Sequence, residues 1–223
     1  MTPTTIASDD FLYSFDSLEI EAIELEPTEI DRAIQLSDRA VGDTRQWQTY
    51  LNALALFGCE RWVAERLPES AFDTTTCLLL EQPSTPIDAV CNVRIGDFKV
   101  CLLAVTNLTD ESVTIPRAAI DLPEFSAQFY ILVQVNEEID RVTIQGYLRY
   151  DRLVEVKRAL DLQPTAEWTY EVPLACFDLE PDRLLLYLRC LEPSAIELPA
   201  IPPDRAVNWI AHQAEISTSF PQL

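Results

Sequence analysis

Two apolar arms joined by a charged link set the first constraint on this fold. Residues 129–135 are almost unbroken apolar sequence, residues 142–150 resume it, and residues 136–141 between them are polar and rich in charge. Arms of this length, dense in β-branched and aromatic side chains and bounded by polar turns, form paired strands rather than helices. The second arm alternates Val142, Ile144, Gly146 and Leu148 with Thr143, Gln145, Tyr147 and Arg149. That period predicts one buried set and one partly wetted set. Such a hairpin is the centre of a core and carries no chemistry of its own.

The flanking segments supply its cover. Thr28 is the expected N-cap of a first helix, with Glu29 and Asp31 at the positive end of its dipole and Ile30, Ala33, Ile34 and Leu36 as its stripe. Asp43-Thr44 opens a second, with Gln46 completing a loose capping box. Trp47, Tyr50, Leu51, Leu54, Gly58, Trp62 and Val63 recur at three- and four-residue steps, which predicts one apolar face. Pro68 stops the helix, because the residue before a proline resists the α region.

From Thr75 the period shortens. Residues 77–80 are a brief apolar run, residues 89–95 alternate, Gly96-Asp97 turns tightly, and residues 98–105 return as a strand. Beyond Pro116, residues 117–124 are a short helix or a loop. Residues 151–160 read as a short helix through Leu153, Val156 and Leu160. Residues 168–173 and 184–191 are expected strands, the latter so apolar that it is buried. Pro193, Pro199, Pro202 and Pro203 mark an extended linker, followed by two or three helical turns over residues 206–216. The expectation is an α+β fold: N-terminal helices on a mixed, largely antiparallel sheet, in one domain over residues 27–192. An acidic segment (1–26) and a Pro-rich linker and tail (193–223) flank it.

Charge narrows the partners. Sixteen Lys and Arg face 37 Asp and Glu, a formal −21. Nucleic-acid affinity draws on basic side chains at phosphates, and an acidic surface repels anionic lipid, so neither partner is expected. No apolar run approaches the roughly 20 residues that span a bilayer. The N-terminus carries acids where an export signal needs bases, so a cytoplasmic location is expected. Such acidity suits a molecule kept apart by repulsion, or one that docks on a basic protein. Phe11, Tyr13 and Phe15 lie among Asp9, Asp10 and Asp16, with no Lys or Arg before Arg32. They form a docking segment for a basic partner, or an edge strand laid on the domain.

Reactive groups are sparse. Cys59, Cys77, Cys91, Cys101, Cys176 and Cys190 show no CxxC pair or ligand spacing and are expected as small buried hydrophobes. The single histidine, His212, sits in the tail, away from any triad partner the sequence can identify. Four glycines leave no GxGxxG or GxxxxGK[ST] loop. Asn107-Leu108-Thr109 matches the glycosylation sequon and, without secretion, is a turn. No catalytic residue, cofactor or cofactor-binding residue is expected.

The order of elements is distantly similar to the PD-(D/E)xK nuclease core. That resemblance implies Asp88 as a first metal-binding acid, followed by Asp/Glu-x-Lys on the next strand. The strand here reads KVCLLAV (99–105), and Glu155-Val156-Lys157 falls in a later helix, so the resemblance implies a lost metal site. A more specific resemblance lies in whole blocks: WQTYLNALALFGCERW (47–62), AVCNVRIGDFKVCLLAV (89–105), VTIPRAAIDLPEFSAQFYILVQV (113–135), GYLRYDRL (146–153) and LLLYLRCLEPSAIELP (184–199). Over roughly residues 27–203 these resemble the family of unknown function DUF1822. The resemblance implies a cyanobacterial cytoplasmic protein with no assigned activity, and a CHAT-domain protein or sigma factor as regulatory partner. The expected function is a non-catalytic protein-interaction or regulatory module; the alternative is a metal-dependent or degenerate nuclease-like enzyme using buried carboxylates.

Overall fold

The computed structural model describes residues 22–81, 90–108, 111–136, 138 and 140–200. In chain order these hold β1 (Ala22–Glu24), α1 (Pro27–Ser37), α2 (Asp43–Arg66), β2 (Phe72–Asp73), α3 (Leu78–Glu81), β3 (Cys91–Ile95), β4 (Phe98–Val105), β5 (Ser112–Pro116), α4 (Arg117–Asp121), β6 (Phe129–Asn136), β7 (Arg141–Arg149), α5 (Tyr150–Ala159), β8 (Thr169–Pro173) and α6 (Pro181–Cys190). Six strands make one sheet in the order β1-β7-β6-β4-β3-β2, antiparallel throughout except at β4–β6. Strands β5 and β8 pair as a separate antiparallel ribbon. A parallel pair cannot be closed by a tight turn, and β5 and α4 lie in the connection that carries the chain from β4 to β6. The molecule is a single α+β domain, as the sequence predicts.

The sheet is covered on both faces. Phe129, Ile131, Val133 and Val135 of β6 join a cluster with α1, α2 and α6, while Tyr130 and Leu132 join one with β5, β8, α4 and α5. Full cover explains why β6 is continuously apolar rather than alternating. Strand β7 departs from the expected alternation. Its register with β6 steps from Leu132↔Gly146 to Val133↔Ile144, leaving Gln145 as an extra residue. Val142 and Ile144 face the helices, but beyond the bulge Tyr147 does so and Leu148 turns to the ribbon. One inserted residue exchanges the two faces of a strand, so the predicted set Val142, Ile144, Gly146 and Leu148 is split.

Helix α2 begins at Asp43 and stops before Pro68, as predicted, but it has more than one buried face. Residues 51–59 are buried without a break, because α2 lies on the sheet while α1 and β1 pack beside it. Contact with β7 is at backbone distance. A Cβ on Gly58 would sit 1.8 Å from Val142 Cγ2. Helix α1 is capped by Glu26 rather than Thr28. Pro27 occupies the first helical position that suits its fixed φ, and the Glu29 carboxylate accepts the Glu26 N–H at 2.6 Å.

One further expectation changes. The predicted strand over residues 184–191 is α6, with Leu184, Leu185 and Leu188 buried. A short apolar run fits a buried helix as well as a strand, and the start signals Pro181 and Asp182 decide it. Residues 78–81 are the short helix α3. Within the expected linker, Ile196 is buried in the helical-side cluster and Pro193 O accepts Gln128 Nε2 at 3.1 Å. At the other flank β1 pairs with β7, so the end of the acidic stretch is an edge strand. The predicted helix over residues 206–216 and His212 lie outside the described residues.

Gly58→Ala must push α2 off β7 or force Val142 out of its position. The expected loss is about 1–3 kcal/mol, the range for overpacked cores, read from urea denaturation midpoints. An unchanged midpoint would mean that the α2–β7 contact yields freely.

Candidate functional site

Strand β7 runs directly into α5, and after β8 the chain returns across it. A 3-10 turn (Leu174–Cys176) leads into a strap, residues 177–180, which feeds α6. The strap joins the outer edge of β7: Tyr147 N–H donates to Asp178 O at 2.9 Å and Asp178 N–H to Tyr147 O at 2.8 Å. Glycine makes this crossing possible, since a Cβ on Gly146 would lie 2.4 Å from Asp178 O and 3.0 Å from Leu179 Cα.

Between the strap, the end of β7, α5 and α6 lies a cleft of about 560 Å³. Tyr147 and Tyr187 meet edge-on there, ring centres 6.0 Å apart. The Tyr147 hydroxyl donates to Asp178 Oδ2 at 3.0 Å. Burial, together with that carboxylate, pushes the Tyr147 phenol well above its ordinary range. Arg149 stacks over Tyr187 at 5.4 Å and donates Nε–H to Asp151 Oδ1 at 3.0 Å. The hydrogen bond to Asp151 raises the Arg149 pKa against the opposing effect of burial. Arg152 pairs with Glu155 at 3.0 Å, and Arg183 with Glu180 at 2.8 Å and Asp178 at 3.3 Å.

Every guanidinium named here is thus engaged by a carboxylate of the same chain. Tyr147 and Arg149 are both shifted away from neutrality, so neither is poised to exchange a proton near pH 7. The lining holds four carboxylates (Asp151, Glu155, Asp178, Glu180) and two guanidiniums (Arg149, Arg152), a surplus of two negative charges. Leu179 at the rim is 48% exposed, and Leu186 on α6 is 60% exposed. The cleft thus joins an exposed apolar side chain to a polar floor whose ion pairs are already formed.

A second polar cluster ties the other layer together. Asp121 accepts Arg117 Nε–H and Tyr170 O–H, each at 2.9 Å, and Lys157 Nζ. Burial alone would raise the Asp121 carboxyl, but these three donors outweigh it and hold the pKa below the ordinary carboxylate value. Burial likewise opposes the charge on Lys157, and Asp121 reverses the shift. The Glu155-Val156-Lys157 letters therefore point three ways: Glu155 to the cleft, Val156 into the core, and Lys157 to Asp121. Strand β4 presents buried Val100, Cys101, Leu102 and Leu103 where a nuclease core needs acid and lysine. Asp88, Phe11, Tyr13 and Phe15 lie outside the described residues. Among the described residues, no group of three or more His, Cys, Asp or Glu could hold a metal ion.

The cysteines divide. Cys59, Cys77, Cys91 and Cys101 are buried as predicted, Cys176 is half-buried, and Cys190 is exposed, outside the expected pattern. Burial pushes Cys59 and Cys101 up to about 12. The Cys91 thiol rises through its contact with Cys77, 3.8 Å away, and through burial. These thiols are packing groups, since the thiolate is the reactive form.

The cleft residues come from three separated segments, and no spacing in the sequence joins Tyr147 to Asp178 and Tyr187. One signal was present. A glycine inside an apolar strand marks a close backbone approach, and Gly146 is such a residue.

Among the described residues, no helix is long and apolar enough to cross a membrane. A family model described as "Protein of unknown function (DUF1822)" matches residues 23–219. No curated protein and no solved structure matches the chain.

Gly146→Ala should lift the strap, giving faster hydrogen exchange at the Tyr147 and Asp178 amides while the β6–β7 amides stay protected. For Asp121, a depressed native pKa means stability that is present above the unfolded value of about 3.9 and is lost as pH falls through the native value. Asp121→Asn should therefore lower stability by about 1–2 kcal/mol at neutral pH and flatten the acid limb. Thermal unfolding recorded from neutral to acid pH checks both halves.

Proposed function

This chain belongs to the DUF1822 family, and from that premise we propose that it is a non-catalytic protein-binding module whose docking site is the cleft under the strap. One observation carries the reading. The cleft's ionic groups are satisfied by one another while Leu179 stands exposed in a lining that also holds a fixed Arg149–Tyr187 stack, and Leu186, the chain neighbour of Tyr187 on α6, is exposed as well. Protein interfaces have this anatomy, an apolar and aromatic centre with Arg anchors inside a satisfied polar rim. Ion pairs formed in advance lose little on docking, because no charge has to find a new partner. The proposed role is regulatory, set by what the partner does when bound. A CHAT-domain protein or a sigma factor is the partner class to test first.

The volume of about 560 Å³ also falls in the range of small-molecule pockets. A photo-crosslinking amino acid at position 186, compared with one at position 171 on the ribbon side, separates the two readings in a native lysate. The expected result is one stoichiometric protein adduct at 186, absent at 171 and lost when Leu179→Ser is added. No adduct at 186, or equal adducts at both positions, would count against protein docking in the cleft.

A further inference from the structure

Arginine is the default cation of this chain: 14 of its 16 basic residues are Arg, and Lys99 and Lys157 are its two lysines. A guanidinium stays charged at any physiological pH, whereas an amine can give up its proton and act as a nucleophile. The fold treats the two lysines in opposite ways. Lys157 is held on Asp121 and stacks with Tyr170 at 4.4 Å. Lys99 stands on β4 directly opposite Arg94 of β3, on the face that turns Cys101 toward the ribbon layer. Like charges facing one another across a strand pair repel. Both residues are half-buried, and among the described residues no carboxylate forms an ion pair with either. Lys99 Nζ donates to Glu124 O, a bond that a neutral amine can also make, and Arg94 donates Nη2–H to Asp97 O at 3.1 Å. Burial pushes the Lys99 amine below the ordinary lysine range; Cys101 and Glu124 oppose the fall without cancelling it, and Arg94 adds to it. A lysine desolvated beside another cation is an activated nucleophile. Asn92 Nδ2 donates to Phe125 O at 2.9 Å, so its side chain and that of Lys99 end on consecutive carbonyls. Asn92 is 3% exposed, and its Oδ1 has no hydrogen-bond partner among the described residues. A buried acceptor without a donor is unusual in a folded protein.

From this geometry we infer that Lys99 is a covalent modification site, at which the amine forms a Schiff base with a small aldehyde or ketone that carries a carboxylate. Arg94 takes the carboxylate, which its planar fork of N–H donors fits, and so presents the carbonyl to the amine on the facing strand. The Nζ lone pair adds to the carbonyl carbon, the carbonyl oxygen takes up a proton to become a hydroxyl, and loss of water leaves a C=N bond. Nothing is oxidised or reduced. The transient hydroxyl supplies the donor that Asn92 Oδ1 lacks. The chain's formal −21 repels small anions, but salt screens that field beyond about 8 Å, and at contact Arg94 decides. None of these residues lines the cleft, so the inference stands apart from the docking reading.

The test uses the full-length chain with glyoxylate, an aldehyde bearing a carboxylate, or with acetaldehyde, which lacks one. Each adduct is trapped with cyanoborohydride and mapped by mass spectrometry. Near neutral pH Lys99 should be modified on the order of tenfold faster than Lys157, the factor for one unit of pKa. Its rate should also begin to rise at lower pH, and in urea the two lysines should react alike. Arg94→Gln should lower the ratio of glyoxylate to acetaldehyde modification at Lys99 several-fold. Acetate added to the unaltered chain gives the same reading without a substitution: it should compete with glyoxylate at Lys99 and leave acetaldehyde unaffected. Modification of Lys157 as fast as Lys99 in the folded chain would overturn the inference, as would a glyoxylate reaction indifferent to both Arg94→Gln and acetate.

Discussion

Strand β6 has no face that it can show to water. Phe129, Ile131, Val133 and Val135 point to one side and Tyr130 and Leu132 to the other, and all are buried. The hydrophobic effect scales with apolar area removed from water, so a strand of this composition is stable only inside three layers. Helices α1, α2 and α6 form one outer layer; the β5–β8 ribbon with α4 and α5 forms the other. The rest of the chain is distributed to provide that cover. Even the two polar anchors of the ribbon side serve it: Tyr130 donates its hydroxyl to Ala119 O, and Asp121 gathers Arg117, Lys157 and Tyr170 around one carboxylate.

The sheet's β7 edge is a second constraint, because an open edge invites pairing with another chain. Here it is closed in two pieces, β1 over residues 141–143 and Asp178 at Tyr147. The bulge at Gln145 lies between them, where the strand changes which side each residue faces. That change brings Tyr147 onto the helical side, against Phe129 and Tyr187. The same crossing of strap over strand creates the cleft, so the candidate site is a by-product of how the edge is sealed.

The cleft's chemistry follows from the composition of the chain. With acids more than twice as numerous as bases, each arginine near the site has carboxylates within reach. Exposed ion pairs add little stability, and those around the cleft orient side chains more than they hold the fold. What they leave is a surface of slight negative charge with Leu179 exposed in its lining.

Sequence patterning alone specified the α+β class, the two hairpins and the extent of α2, because Gly96-Asp97, Pro68 and the period-two arms are local signals. It left α6 ambiguous, since a leucine run satisfies a buried helix and a buried strand alike, and it could not reveal the bulge, because an extra residue in a strand is defined only against its partner. Of the site, only Gly146 was legible as a place of close approach. Asp178 and Tyr187 became neighbours of Tyr147 through pairings that span 31 and 40 residues of sequence, and no local pattern encodes such a distance. The amino-acid order thus determined which segments had to be buried and how much charge the surface would carry. Tertiary structure decided which of those charges face one another, because contact between distant segments is fixed only when both sides of the sheet are covered at once.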